Sequence, residues 1–142
     1  MASVTVRSLE NRQVHVEMDE HTLLADEPPG TGDGVGPSPY DLLLSALGSC
    51  TVMTLLLYAR RKEWALNDVE MDLAHDRIYA QDSENAEGQG GQLDRYSLDI
   101  RLIGSIDEEQ RERLAYIATR CPVRKTLAGV PRFDETVTVV NG

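Results

Sequence analysis

Two side chains in this sequence could carry covalent redox chemistry, Cys50 and Cys121. They are too few for a disulfide-stapled fold, and a chain of 142 residues can bury a core without one. In a reducing compartment they are either inert core residues or a chemical pair. The reactive form of cysteine is the thiolate, and apolar burial alone raises the thiol's pKa, so a working cysteine needs a cation or hydrogen-bond donors beside it. The candidate cations are Arg12 and the basic group Arg120, Arg124 and Lys125 that brackets Cys121.

Other site chemistries find little support. His15, His21 and His75 are scattered, and with only two cysteines no CxxC or HExxH spacing arises, so no metal is expected. The glycines at 30, 32, 34 and 36 form neither a dinucleotide fingerprint nor a P-loop. Trp64 reads as a core residue and the histidines as surface residues of strands. A net charge of −10 and a pI near 4.6 exclude the clustered basic face that nucleic acid or an anionic membrane surface requires. Residues Met1 to Glu10 alternate Val4 and Val6 with polar residues and contain no apolar signal core, so the protein is expected in the cytoplasm.

The elements that must position the cysteines follow from periodicity. Ser3 to Ser8 and Gln13 to Met18 alternate apolar and polar residues around a polar turn at Leu9 to Arg12, which predicts a hairpin, and His21 to Ala25 reads as a third strand. Asp26 to Pro37 is rich in Gly and Pro and reads as loop. Ser38 and Pro39 open a helix that runs uncharged from Leu42 to Ala59 and ends at Arg60-Arg61-Lys62. A run that long raises the question of a membrane span. Ser45, Gly48, Ser49, Thr51 and Thr54 dilute it, and the amphipathic strands on either side need a soluble core. The reading is a fully buried central helix with Cys50 in its middle, which one small domain has difficulty wrapping and a homodimer could wrap.

Beyond Trp64 the period is two. Val69, Met71 and Leu73 precede a parity change that predicts a bulge near Ala74 or His75, Gln81 to Gln92 reads as a hairpin tip, and Tyr96 to Leu102 alternates again. Ser105 and Glu108 match a capping box for a helix whose inner face carries Leu114, Ile117, Ala118 and Cys121. Pro122 then disfavours helix at Cys121 and starts a short helix ending near Gly129, and a last strand places Phe133, Val137 and Val139 on one face. The expectation is one α+β domain spanning residues 1–142.

The segment Gly36-Pro37-Ser38-Pro39-Tyr40-Asp41-Leu42-Leu43-Leu44-Ser45-Ala46-Leu47-Gly48-Ser49-Cys50, with Arg120-Cys121-Pro122-Val123 downstream, resembles the OsmC/Ohr family of osmotically inducible and organic-hydroperoxide-resistance proteins. The resemblance implies an OsmC-like fold in the order βββ-α-ββ-αα-β around the central helix, assembled as an intertwined homodimer. It implies that Cys50 is the peroxidatic and Cys121 the resolving cysteine of a thiol-dependent peroxidase, with Arg12 near the family's arginine. It also implies an external dithiol reductant, lipoyl or small thiol, and no bound cofactor. The hydroperoxide-resistance branch has a Glu where this chain has Tyr40, so the resemblance is to an OsmC-like branch lacking that acid. The alternative is a dimeric stress-response protein that binds a small apolar ligand, or a redox switch, with little turnover.

Overall fold

The computed structural model describes residues 1–79 and 92–142; the expected hairpin tip falls outside the described residues apart from Gln92. The architecture is α+β, with antiparallel strands and three helices. Residue contacts group the chain into two compact units, Met1–Ser49 with Glu70–Arg101 and Cys50–Val69 with Leu102–Gly142.

In the first unit, β1 (Thr5–Ser8), β2 (Val14–Met18) and β3 (His21–Ala25) form an antiparallel sheet in sequence order. The register pairs Val6 with Val16 and Val16 with Leu23, which lines branched apolar side chains across one face. Asn11 and Asp19 take positive φ in the two turns, a conformation short polar side chains tolerate. The following loop is organised by Asp26, which is 2% exposed. Its carboxylate accepts backbone N–H bonds from Glu27 at 2.7 Å, Asp33 at 3.1 Å and Val35 at 3.2 Å. A Cβ at Gly36 would run into the Leu24 carbonyl oxygen, so only glycine lets the loop lie this close to β3.

The central helix α1 spans Pro39–Lys62. Ser38 caps it: its Oγ accepts the Asp41 N–H at 3.2 Å, and Asp41 reaches back to the Ser38 N–H at 3.0 Å. Leu47, Thr51, Leu55 and Ala59 are buried, at a spacing of four residues that defines a single stripe. The helix is therefore not wrapped all round. Its most apolar window has a mean hydropathy of 1.9, enough on length and composition to cross a membrane, yet only 28% of that window is buried, with Met53 68% and Leu57 48% exposed.

Strands β4 (Ala65–Tyr79) and β5 (Gln92–Ser105) form a two-stranded sheet. Ion pairs of Asp76 with Arg95 and of Glu70 and Asp72 with Arg101 run in opposite chain directions, as antiparallel pairing requires. The break in alternation falls after His75, where Asp76 and Arg77 both point to solvent before Ile78 turns in. That is one position beyond the expected bulge.

In the second unit, α2 spans Glu108–Ala118 and α3 Pro122–Ala128. The capping box of α2 is Asp107 with Gln110, and not Ser105 with Glu108, because β5 continues through Ser105 and leaves that residue in extended backbone. Leu114, Ala118 and Cys121 are buried and Ile117 partly so, which is the inner face read from the sequence. The expected final strand is absent. Residues 130–142 have no strand partner among the described residues, and Phe133, Val137 and Val139 are more than four-fifths exposed. Alternation gave that segment a strand's pattern, but a strand also needs a neighbour's backbone to bond, and none of the described residues supplies one.

Candidate active site

Cys50 lies in the second unit at the middle of α1 and is partly exposed, whereas Cys121 has no exposed surface; both are free thiols. Pro122 is the cause of Cys121's placement. The residue before proline is pushed out of helical geometry, and Cys121 has φ −56° and ψ 132°, so the chain turns there from α2 into α3. Pro122 has no N–H of its own. The first amide protons that α3 presents are consequently those of Val123 and Arg124.

These groups act on the two sulfurs. The Cys121 sulfur closes no regular side-chain cap on α3, but the Val123 and Arg124 N–H groups stabilise negative charge on it. Burial pushes the Cys121 thiol up; hydrogen bonding from Cys50, the Arg124 N–H, the Thr51 hydroxyl and the Val123 N–H outweigh that, and the pKa falls below its ordinary value. For Cys50 burial again comes first and raises the pKa. The hydrogen bond to Cys121 and the charge there raise it further, and the Val123 N–H and Thr54 hydroxyl only partly oppose this. The Thr54 hydroxyl already donates to the Cys50 carbonyl at 2.7 Å, which limits what it offers the sulfur. When the pair holds a single proton, the proton rests on Cys50 and the charge on Cys121.

Besides burial, which comes first for both, the main influences on the two thiols are backbone amides, hydroxyls and the other sulfur; no cationic side chain is among them. Arg124 contributes its backbone, and its side chain, like those of Arg120 and Lys125, is exposed. Arg12 occupies the β1–β2 turn, exposed and without an ion pair to any described residue. Its neighbours are anchored: the side-chain amides of Asn11 and Gln13 donate to the two carboxylate oxygens of Asp33 at 3.1 and 2.9 Å.

Sequence reasoning did not single out Thr51 or the Val123 and Arg124 amides. Hydroxyls and backbone N–H groups have no signature of their own, and the helix break at Pro122 was the available signal. A second cluster it missed lies in the first unit. His75, read as a surface residue, has a side chain only 11% exposed, stacked on Tyr40 with ring centres 4.6 Å apart and bonded through Nε2 to Asp94 at 2.9 Å. Arg77 donates to the Tyr40 hydroxyl at 3.4 Å and to Asp94 at 3.3 Å. Among the described residues no His, Cys, Asp and Glu cluster could hold a metal ion.

The site thus sets a partly exposed thiol against a buried one at a helix break in an α+β fold. The family model for OsmC-like protein matches residues 30–136, and the chain belongs to that family. An OsmC-like protein from Mycoplasma pneumoniae is similar to it at 26% identity, with a TM-score of 0.72 over 92% of this chain and 89% of that one. Two organic hydroperoxide resistance proteins share the fold. The one from Legionella pneumophila is 20% identical with a TM-score of 0.67, covering 91% of this chain and 90% of its own. The one from Elizabethkingia anophelis is 16% identical with a TM-score of 0.67, covering 91% and 89%. No curated protein matches the sequence.

Proposed function

We propose that this protein is a cytoplasmic, homodimeric thiol peroxidase that reduces organic hydroperoxides or hydrogen peroxide. The observation that carries the reading is the pairing of a partly exposed Cys50 with a buried Cys121 whose surroundings hold a negative charge. The hydroperoxide-resistance proteins that share the fold support the substrate class.

Only Cys50 has surface for a peroxide to approach. The Cys121 sulfur first takes the Cys50 proton, the Cys50 thiolate attacks the outer peroxide oxygen, the O–O bond breaks, and the proton passes from the Cys121 sulfur to the departing alkoxide, leaving Cys121 a thiolate again. The products are an alcohol and a Cys50 sulfenic acid. The Cys121 thiolate then attacks the sulfenic sulfur, expelling hydroxide, which takes a proton and leaves as water, and the disulfide forms before a second peroxide can produce the sulfinic acid. An external dithiol, lipoyl or small, reduces the disulfide by exchange and is itself oxidised to a disulfide. No bound cofactor enters the cycle. Arg12 is assigned to orienting the peroxide, its turn held through Asn11 and Gln13 on Asp33.

The test is cumene hydroperoxide consumption with dihydrolipoamide or dithiothreitol. Native protein is expected to turn over, Cys50→Ser to be inactive, and Cys121→Ser to consume about one peroxide before stalling as a sulfenic or sulfinic acid detectable by mass. Absence of cysteine-dependent turnover with any peroxide would refute the reading.

A further inference from the structure

The thiol pair leaves unused a cleft of about 600 Å³ in the second unit, between the end of α1 and the start of α2. That volume lies within the range of small-molecule sites. One wall is aromatic. Trp64 meets Tyr58 edge-on with ring centres 5.6 Å apart, and Tyr116 continues the wall from α2.

Trp64 is held there by the way α1 ends. Its N–H bonds back to the Ala59 carbonyl at 2.9 Å, and the Glu63 N–H to Arg60 at 3.1 Å, which is a Schellman closure. That closure needs a left-handed residue at Glu63, whose φ is 57°, where glycine would be unstrained.

The charges of the cleft are unevenly engaged. The Arg113 guanidinium lies 5.7 Å from the Tyr58 ring centre and 5.1 Å from that of Tyr116, and its Nε donates to the Tyr58 hydroxyl at 2.9 Å. The Lys62 amine sits 5.8 Å from the Tyr58 ring. Both cations are thus occupied on aromatic faces. Among the acids, Asp107 is taken up in the α2 cap. Glu109 and Glu112 line the cleft and form no ion pair with any described residue. Among the described residues no cation lies over the Trp64 ring, so the cleft leaves that aromatic face and the two acids without a positive partner, and the protein's net charge of −10 attracts cations to it from a distance.

We propose that this cleft binds a small organic cation with an aromatic body, of the arylalkylamine class. The ring lies along the Trp64–Tyr116 wall and the ammonium reaches Glu109 and Glu112. The site is independent of the cysteine chemistry.

Trp64 is the only tryptophan, so its fluorescence reports on this cleft alone. The native protein is titrated with phenethylamine and, in parallel, with phenylacetate, which keeps the ring and reverses the charge. Phenethylamine is expected to change the emission saturably, with phenylacetate weaker by about tenfold or more and the double variant E109Q/E112Q weakening phenethylamine by about tenfold. Circular dichroism and the peroxide assay should be unchanged in that variant. The proposal is overturned if phenethylamine gives no saturable change, if phenylacetate binds equally, or if a folded double variant binds as well as native. Should the double variant not fold, the contrast between the two probes in the native protein decides the matter.

Discussion

Cys121 sits at the one position where proline keeps the backbone from continuing α2, and its sulfur gains donors there that a mid-helix residue would not meet. Both cysteines were legible as chemical candidates by type, and Pro122 made the helix break legible. The direction of proton sharing was not, because it depends on which amide and hydroxyl hydrogens reach which sulfur. A titration checks it. Cys121 raises the Cys50 pKa through the shared hydrogen bond and its charge, so Cys121→Ser, which removes the charge, should lower the ionisation midpoint of Cys50. Thiolate absorbance near 240 nm in single-cysteine variants is the readout, and an unchanged or higher Cys50 midpoint in Cys121→Ser would mean the thiols do not interact. His75 illustrates the opposite failure. Its burial follows from where strand parity switches, and that switch came one position beyond the sequence-based expectation.

Strand and helix spans were readable because two physical periods dominate them: β3 begins and ends where alternation placed it, and α3 starts at Pro122 and ends at Ala128, with Gly129 as its cap. The α2 cap was misplaced because Ser105-Ile106-Asp107-Glu108 offers two candidate caps, and the length of β5 chooses between them. Asp107→Ala should therefore cost about 1 kcal/mol in chemical denaturation, whereas Ser105→Ala should be close to neutral. Equal costs would put the cap at both residues or neither. The 26–37 loop shows what composition cannot reveal, since its Gly and Pro content conceals a buried carboxylate at its centre. Burial raises the Asp26 pKa, but the N–H groups of Glu27, Val35, Asp33 and Gly34 outweigh it and the net shift is downward from 3.8. A depressed carboxylate contributes stability that is complete above the unfolded value and is lost as pH falls through the folded one. Acid should thus release this loop only below about pH 4, and Asp26→Asn should shift amide-exchange protection of Asp33 and Val35 to a low, pH-independent level.

At the scale of the whole molecule, the single chain leaves two apolar features uncovered: the Met53 and Leu57 side of α1, and the extended 130–142 segment with Phe133, Val137 and Val139. The sequence announced the first as a helix too apolar to be wrapped by one small domain, and the structure confines its buried residues to the stripe 47, 51, 55 and 59 and the adjoining Gly48. The tail was legible only as an alternating pattern, because the partner that would complete a strand is not within the described chain. A homodimer formed through α1 answers the first need. Fully burying residues such as Met53 and Leu57 is worth about 1.5–3 kcal/mol each per protomer, so placing a charge at both positions should remove most of the driving force. Met53→Glu/Leu57→Glu is expected to sediment as a monomer at micromolar concentration, where the native protein is expected to sediment as a dimer. Both substitutions lie on the solvent side of the buried stripe, so the variant should keep its helical circular dichroism. A native protein that is monomeric in the same experiment would leave α1's apolar side without a protein partner, and would reopen the membrane surface as the place where it is covered.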